Sequence, residues 1–111
     1  MSKANDQPTR EERLAAKLRE NHTTHGAYRA DVEGADRQGE LTWVARGNAR
    51  IANHTYVPHE ARGKGIAAAL VDALIADARA EGFKIVPQCS YVEAAFRRHP
   101  EWADVLADLP S

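Results

Sequence analysis

Hydrophobic and polar positions along this chain change their spacing partway through. From Ala27 the spacing is strand-like: Tyr28, Ala30 and Val32 alternate with Ala27, Arg29, Asp31 and Glu33, until Gly34 breaks the run. A second alternation sets Leu41, Trp43 and Ala45 against Thr42, Val44 and Arg46. Ile51 through Val57 resumes strand character and stops at Pro58. Side chains of a strand point to opposite faces in turn, so such alternation predicts strands with one face buried. Gly47-Asn48 lies between the second and third runs and reads as a tight turn. Three short strands with short links imply an antiparallel meander.

In the second half the spacing becomes helical. Ile66, Leu70, Leu74 and Ala78, with Val71 and Ile75 beside them, predict a helix over 66–80 that Gly82 stops. Phe83 to Cys89 reads as a strand. Pro87 within it has no N–H to give to a ladder, which places that stretch at an edge or where it splays from a neighbour. Tyr91 to Arg98 is helical in spacing and closed by Pro100; Trp102, Val105 and Leu106 make a last apolar turn. Upstream, Thr9 with Glu12 matches a capping box and predicts a short helix over about residues 10–20, after a polar tail and before a loop over 21–26. The fold class expected is α+β: an antiparallel meander, a right-handed strand–helix–strand crossover and a C-terminal helix. The expected boundaries are a polar extension over 1–25 and a single domain over 26–111.

Composition narrows the function classes. The 111 residues, 43% of them apolar, suffice for one domain with its own core. A net charge of −1 gives no support to a nucleic-acid or polybasic membrane partner. Apolar runs such as Ile66 to Val71 are far short of a membrane span, and the polar start has no signal-peptide core, so a cytoplasmic protein is expected. Cys89 is the single cysteine, so no internal disulfide forms. His22 and His25 lack partners at zinc-ligand spacing, and no metal is expected.

The chemistry-bearing stretch is His59-Glu60-Ala61-Arg62-Gly63-Lys64-Gly65-Ile66-Ala67, where two glycines flank a lysine as a helix begins. No Ser, Thr, Asp or Asn near Gly65 caps that helix, so its first N–H groups lack a side-chain acceptor. A phosphate or pyrophosphate would complete it, and the alternative is a tight turn with solvated amides. A P-loop is excluded because Gly65, not Ser or Thr, follows Lys64. Gly63 to Ala68 does match G-x-G-x-x-A, but that fingerprint opens a large parallel sheet, and here it follows a meander with few residues left.

A third pattern, Arg62-x-x-Gly65-x-Ala67, resembles the acetyl-coenzyme-A signature of the GNAT superfamily of N-acetyltransferases. Taken with His54-Thr55-Tyr56-Val57-Pro58, then Val86-Pro87-Gln88-Cys89-Ser90-Tyr91-Val92, then His99-Pro100-Glu101-Trp102, the series is similar to the minimal single-domain members, over roughly residues 26–107. The resemblance implies a minimal GNAT fold. It implies acetyl-CoA as acyl-donor cosubstrate, without a metal, and an amine acceptor, either a small molecule or a lysine side chain. The amides from Arg62 through Gly63, Lys64, Gly65 and Ile66 to Ala67 would cradle the pyrophosphate, with Lys64 adding charge or merely solvated. The strand end at Tyr56 and Val57 would hold the pantetheine arm.

Acetyl transfer needs the amine to lose a proton and the departing thiolate to gain one. Larger relatives use a tyrosine in the last helix as the acid, and here Arg97 stands in that place. Cys89, characteristic of the minimal members, is the substitute the resemblance suggests, as general acid, as nucleophile, or as packing only. His54 belongs to the family pattern as a proton relay or as hydrogen-bonded structure, and Tyr91 lies two residues beyond Cys89. The other function class that fits is a coenzyme-A-binding module without efficient turnover, since the chain lacks the extra N-terminal helices that build an acceptor site in larger relatives.

Overall fold

The computed structural model describes residues 19–61, 63 and 65–107. Its strands are β1 (Arg19–Asn21), β2 (His25–Ala30), β3 (Gly39–Arg46), β4 (Ala49–Tyr56) and β5 (Lys84–Pro87); its helices are α1 (Ile66–Glu81) and α2 (Ser90–Arg98). They form one mixed sheet in the order β1-β2-β3-β4-β5. The first four strands run antiparallel, and α1 carries the chain across to β5, which pairs parallel with β4. The α+β class, the meander and the crossover therefore stand as expected. Gly47, at φ 57, and Asn48 make the two-residue turn between β3 and β4.

The register sorts side chains onto two faces. Tyr28 pairs with Leu41 and Gly26 with Trp43, and Trp43 continues to Ala52. Tyr28, Leu41, Trp43 and Ala52 are all buried, in one cluster with Leu70, Leu74 and Ala78 of α1 and Val92 and Phe96 of α2. Both helices thus bury their apolar stripes into a single core. The alternate positions Arg29, Glu40, Thr42, Val44 and Ile51 are half-buried or exposed. That side of the sheet has no helix over it among the described residues.

Two contacts set the height of α1 above the sheet. The buried Tyr28 hydroxyl donates to Asp77 Oδ2 at 2.6 Å, and Arg19 Nε reaches the same oxygen at 2.9 Å. Burial, then the hydrogen bond to Asp77, pushes the Tyr28 phenol well above its ordinary value, so it stays a donor. On the other face Glu20 meets Arg29 and His22. Hydrogen bonds from Arg29 and then His22 hold the Glu20 carboxyl at about 2.

Several expectations need correction. The helix expected over residues 10–20 does not reach its last two positions, because Arg19 and Glu20 pair with Tyr28 and Ala27 as a strand. Its remainder lies outside the described residues. The sheet therefore starts within the stretch read as an extension. The loop expected over 21–26 shrinks to the turn between β1 and β2, since His25 and Gly26 pair with Val44 and Trp43. The strand expected over 83–89 ends at Pro87, and Cys89 is the N-cap residue of α2. The last apolar turn is a 3₁₀ segment, Pro100–Val105, that buries Trp102 against the Phe96 ring edge at 5.4 Å. Leu106 is not part of that packing: it is 40% exposed and bridges Ile85 at the β5 edge.

Gly26 shows how tightly the hairpin is packed. A Cβ there would lie 2.3 Å from the Glu20 carbonyl oxygen and 2.4 Å from Trp43 Cζ2. Neither the strand backbone nor a buried indole can retreat. Gly26→Ala should therefore cost about 1–3 kcal/mol, the range for overpacked cores. Urea unfolding of the two proteins measures this, and an unchanged midpoint would contradict the packing.

Candidate functional site

The site begins where β4 and β5 part. Their pairing runs from Ala49 with Lys84 to Ala52 with Pro87 and stops. Pro87 cannot donate, so the ladder ends there. The Ala52 carbonyl then accepts from both Gln88 N, at 3.1 Å, and Cys89 N, at 2.9 Å, which turns the chain out of the sheet and into α2. β4 continues to Tyr56 with only β3 beside it.

A bulge decides which residues look into the gap. Trp43 pairs with Ala52 but Thr42 pairs with His54, leaving Asn53 as the extra residue of β4. Its Oδ1 accepts from Thr42 Oγ1 at 2.7 Å. An extra residue reverses the alternation beyond it. Thr55, paired with buried Leu41, therefore lies on the helix side, and His54 lies on the open side.

On the helix side a cleft of about 490 Å³ opens along the freed end of β4. Thr55, Tyr56 and Val57 form one wall; Gly63, Gly65 and the first turn of α1 form another, and Tyr91 of α2 closes the side. Gly63 and Gly65 hold φ 80 and 79, a region that favours glycine. Gly65 caps α1 with no side-chain hydrogen bond. Among the described residues the first bond of the helix comes from Ala69 N to the Gly65 carbonyl, at 3.0 Å, and the amides of Ile66, Ala67 and Ala68 come before it. A Cβ at Gly63 or Gly65 would meet no atom of the described residues within 4 Å beyond its chain neighbours. The turn thus sets the first amides and the positive end of a helix against the cleft.

The residues expected at a site fall into three groups. Tyr56, Val57, Gly63, Gly65, Ile66, Ala67 and Tyr91 all line the cleft. Arg62 and Lys64 lie outside the described residues. Cys89 and His54 are not on its walls. Cys89 is half-buried behind the wall, with Sγ donating to Thr55 Oγ1 at 3.3 Å. The His54 side chain is 55% exposed on the far face, with Nε2 3.8 Å from Glu40 Oε2. Across the strand, the Arg37 guanidinium sits 4.0 Å over the Tyr56 ring. Among the described residues no cluster of His, Cys, Asp or Glu has the makings of a metal site. No described helix is long and apolar enough to cross a membrane.

Two residues of this region escaped sequence reading. Thr55 lies between two candidates, and simple alternation would have set it opposite His54, which is correct. What alternation lacked was the bulge that makes the Thr55 side the cleft side. Glu40 carries no sequence signal at all, since its approach to His54 comes from strand register.

Comparisons with known proteins bear on the family and the fold. A family model of GCN5-related N-acetyl-transferases matches residues 27–105. In solved structures, a GCN5-like protein from Staphylococcus aureus, determined by NMR in solution, superposes with a TM-score of 0.63. It is 21% identical, over 84% of this chain and 90% of that one, so the likeness is one of fold.

Proposed function

Because the chain belongs to the GCN5-related N-acetyltransferase family, with almost the whole described region inside the family match, we propose that it transfers acetyl from acetyl-CoA to a primary amine. The observation that carries this reading is the cleft, which joins an uncapped glycine turn to the freed edge of a strand within one continuous space. The turn suits a pyrophosphate, with Gly63 to Ala67 supplying amides and helix dipole, and Lys64 and Arg62 supplying charge. The freed side of β4 beyond Ala52 suits an amide-bearing arm, which can take the place of the missing strand partner. The cosubstrate supplies an activated thioester. Everything else falls to the protein's groups.

Those groups divide by side. The leaving sulfur belongs in the cleft, near Thr55, Tyr91 and, behind them, Cys89. The amine arrives from the open face of the sheet, where His54 and Glu40 stand ready to take its proton. Holding both reactants at the parting of β4 and β5 accounts for much of the rate, since proximity removes an entropic barrier. Main-chain N–H groups of the freed strand end suit the developing oxyanion. The open face, with no helix over it, fits an extended or varied amine such as a polyamine or a lysine in a flexible segment. A cytoplasmic site of action is part of this reading.

Two measurements test it. Acetyl-CoA at a hundred times its Kd should stabilise the fold by about 2.7 kcal/mol in a thermal melt, and NAD should do much less. A larger shift with NAD would revive a dinucleotide site. With a panel of amines, polyamines and lysine peptides, thioester consumption should appear for at least one acceptor. Binding without turnover on any of them would favour a coenzyme-A-binding module.

The turn has its own test. At Gly65, Asp and Asn have the same shape, and both tolerate left-handed φ better than most residues. Gly65→Asp should weaken coenzyme A binding by well over tenfold in calorimetry, while Gly65→Asn should weaken it less, because only the first sets a charge against phosphate. Equal affinities for the two variants would remove the pyrophosphate from this turn.

A further inference from the structure

We propose that Thr55 is the group that protonates the leaving sulfur, with Cys89 acting through it as the proton source; this rests on the acetyl-transfer reading above. Thr55 is on the cleft wall, whereas Cys89 is not. Along β4 it is also the lining residue nearest to where β4 and β5 part, opposite the turn that suits the phosphates. A group held at that end of the cleft lies against Thr55.

The hydrogen-bond direction makes the arrangement a relay. A hydroxyl has one proton to give and two lone pairs to accept with. Cys89 Sγ donates to Thr55 Oγ1 at 3.3 Å, and no second partner of that oxygen is found among the described residues. The hydroxyl proton is therefore left for an acceptor in the cleft. Tyr91 shares the wall, but no described side chain stands behind its hydroxyl as a second donor.

The step balances without any further reactant. The amine nitrogen bonds to the thioester carbonyl carbon, and the carbon–sulfur bond breaks. The departing sulfur takes the Thr55 hydroxyl proton as Thr55 Oγ1 takes the proton of Cys89. The Cys89 thiolate regains a proton from solvent, which has received the one released by the amine. Because both transfers occur in one concerted shift, no threonine alkoxide has to accumulate. Cys89 is then a positioning and proton-supplying residue and carries no acetyl group.

The test uses the whole chain and four variants. Thr55→Val keeps the shape and removes the hydroxyl; it should lower kcat by about 10²-fold, the lower range for general acids, with the Kd for coenzyme A unchanged. Cys89→Ala should fall by a similar factor, and the double variant should fall no further, as expected for residues acting as one unit. Thr55→Ser should restore most of the rate. The infrared S–H stretch reports the same contact without turnover, because the chain has one cysteine. Its band should rise in frequency in Thr55→Val, and in the wild type it should shift when acetyl-CoA, which has no free thiol, is added without an acceptor. Wild-type turnover in Thr55→Val, additive losses in the double variant, a band indifferent to both changes, or a 42-dalton adduct on Cys89 with acetyl-CoA alone (one acetyl group by mass) would each overturn the relay. Should Thr55→Val not fold, the wild-type band with and without acetyl-CoA still decides. Absence of coenzyme A binding to the wild type would instead defeat the acetyl-transfer reading itself.

Discussion

Pro87 ends the pairing between β4 and β5, and the candidate site exists because of that ending. A parallel pair held by ladder hydrogen bonds has no room between its strands. Here four residue pairs hold the two strands together, and the last of them contains Pro87, which has no N–H to carry the ladder on. The Ala52 carbonyl gathers the next two amides, of Gln88 and Cys89, and the chain leaves the sheet as α2. What remains is a strand edge with no described strand paired to it and a cleft along it.

The rest of the fold keeps that gap open and furnishes it. α1 must sit at a set height for its uncapped start to face the freed end of β4. Tyr28 and Arg19 fasten it through Asp77 near its far end. Near its start, Gly39 lets β3 pass close: a Cβ there would lie 3.0 Å from Ile66 Cγ2. The helix is thus held at both ends by contacts to the meander, and the glycine turn before it inherits a fixed place.

The bulge at Asn53 divides the chemistry between two sides of the sheet. Without it Ala52 and His54 would share a face, and the imidazole would point into the core. With it, Thr55 takes the cleft side and His54 the open side beside Glu40. A single extra residue in β4 thus separates the place where a thiolate would leave from the place where an amine would enter. Separation of this kind would let one strand serve both proton transfers of the proposed reaction.

Much of this was legible in the sequence, because it rests on local rules. The alternation at Tyr28, Leu41 and Trp43, the helical stripe from Ile66 to Ala78, the stop at Gly82 and the glycine turn lacking a cap all follow from period, propensity and capping. Pro87 announced the divergence, since a missing donor is a property of the residue alone. Four features depended on tertiary structure. β1 forms because Arg19 and Glu20 find partners across the hairpin and in Asp77 and Arg29, which no local pattern reveals. Cys89 leaves the strand for a helix cap because Ala52 draws its amide. Glu40 meets His54 through strand register. Thr55 rather than Cys89 faces the cleft because of a bulge whose position is set by pairing with β3. Local chemistry named the segments that build the site, and long-range pairing decided which side chain of each segment faces it.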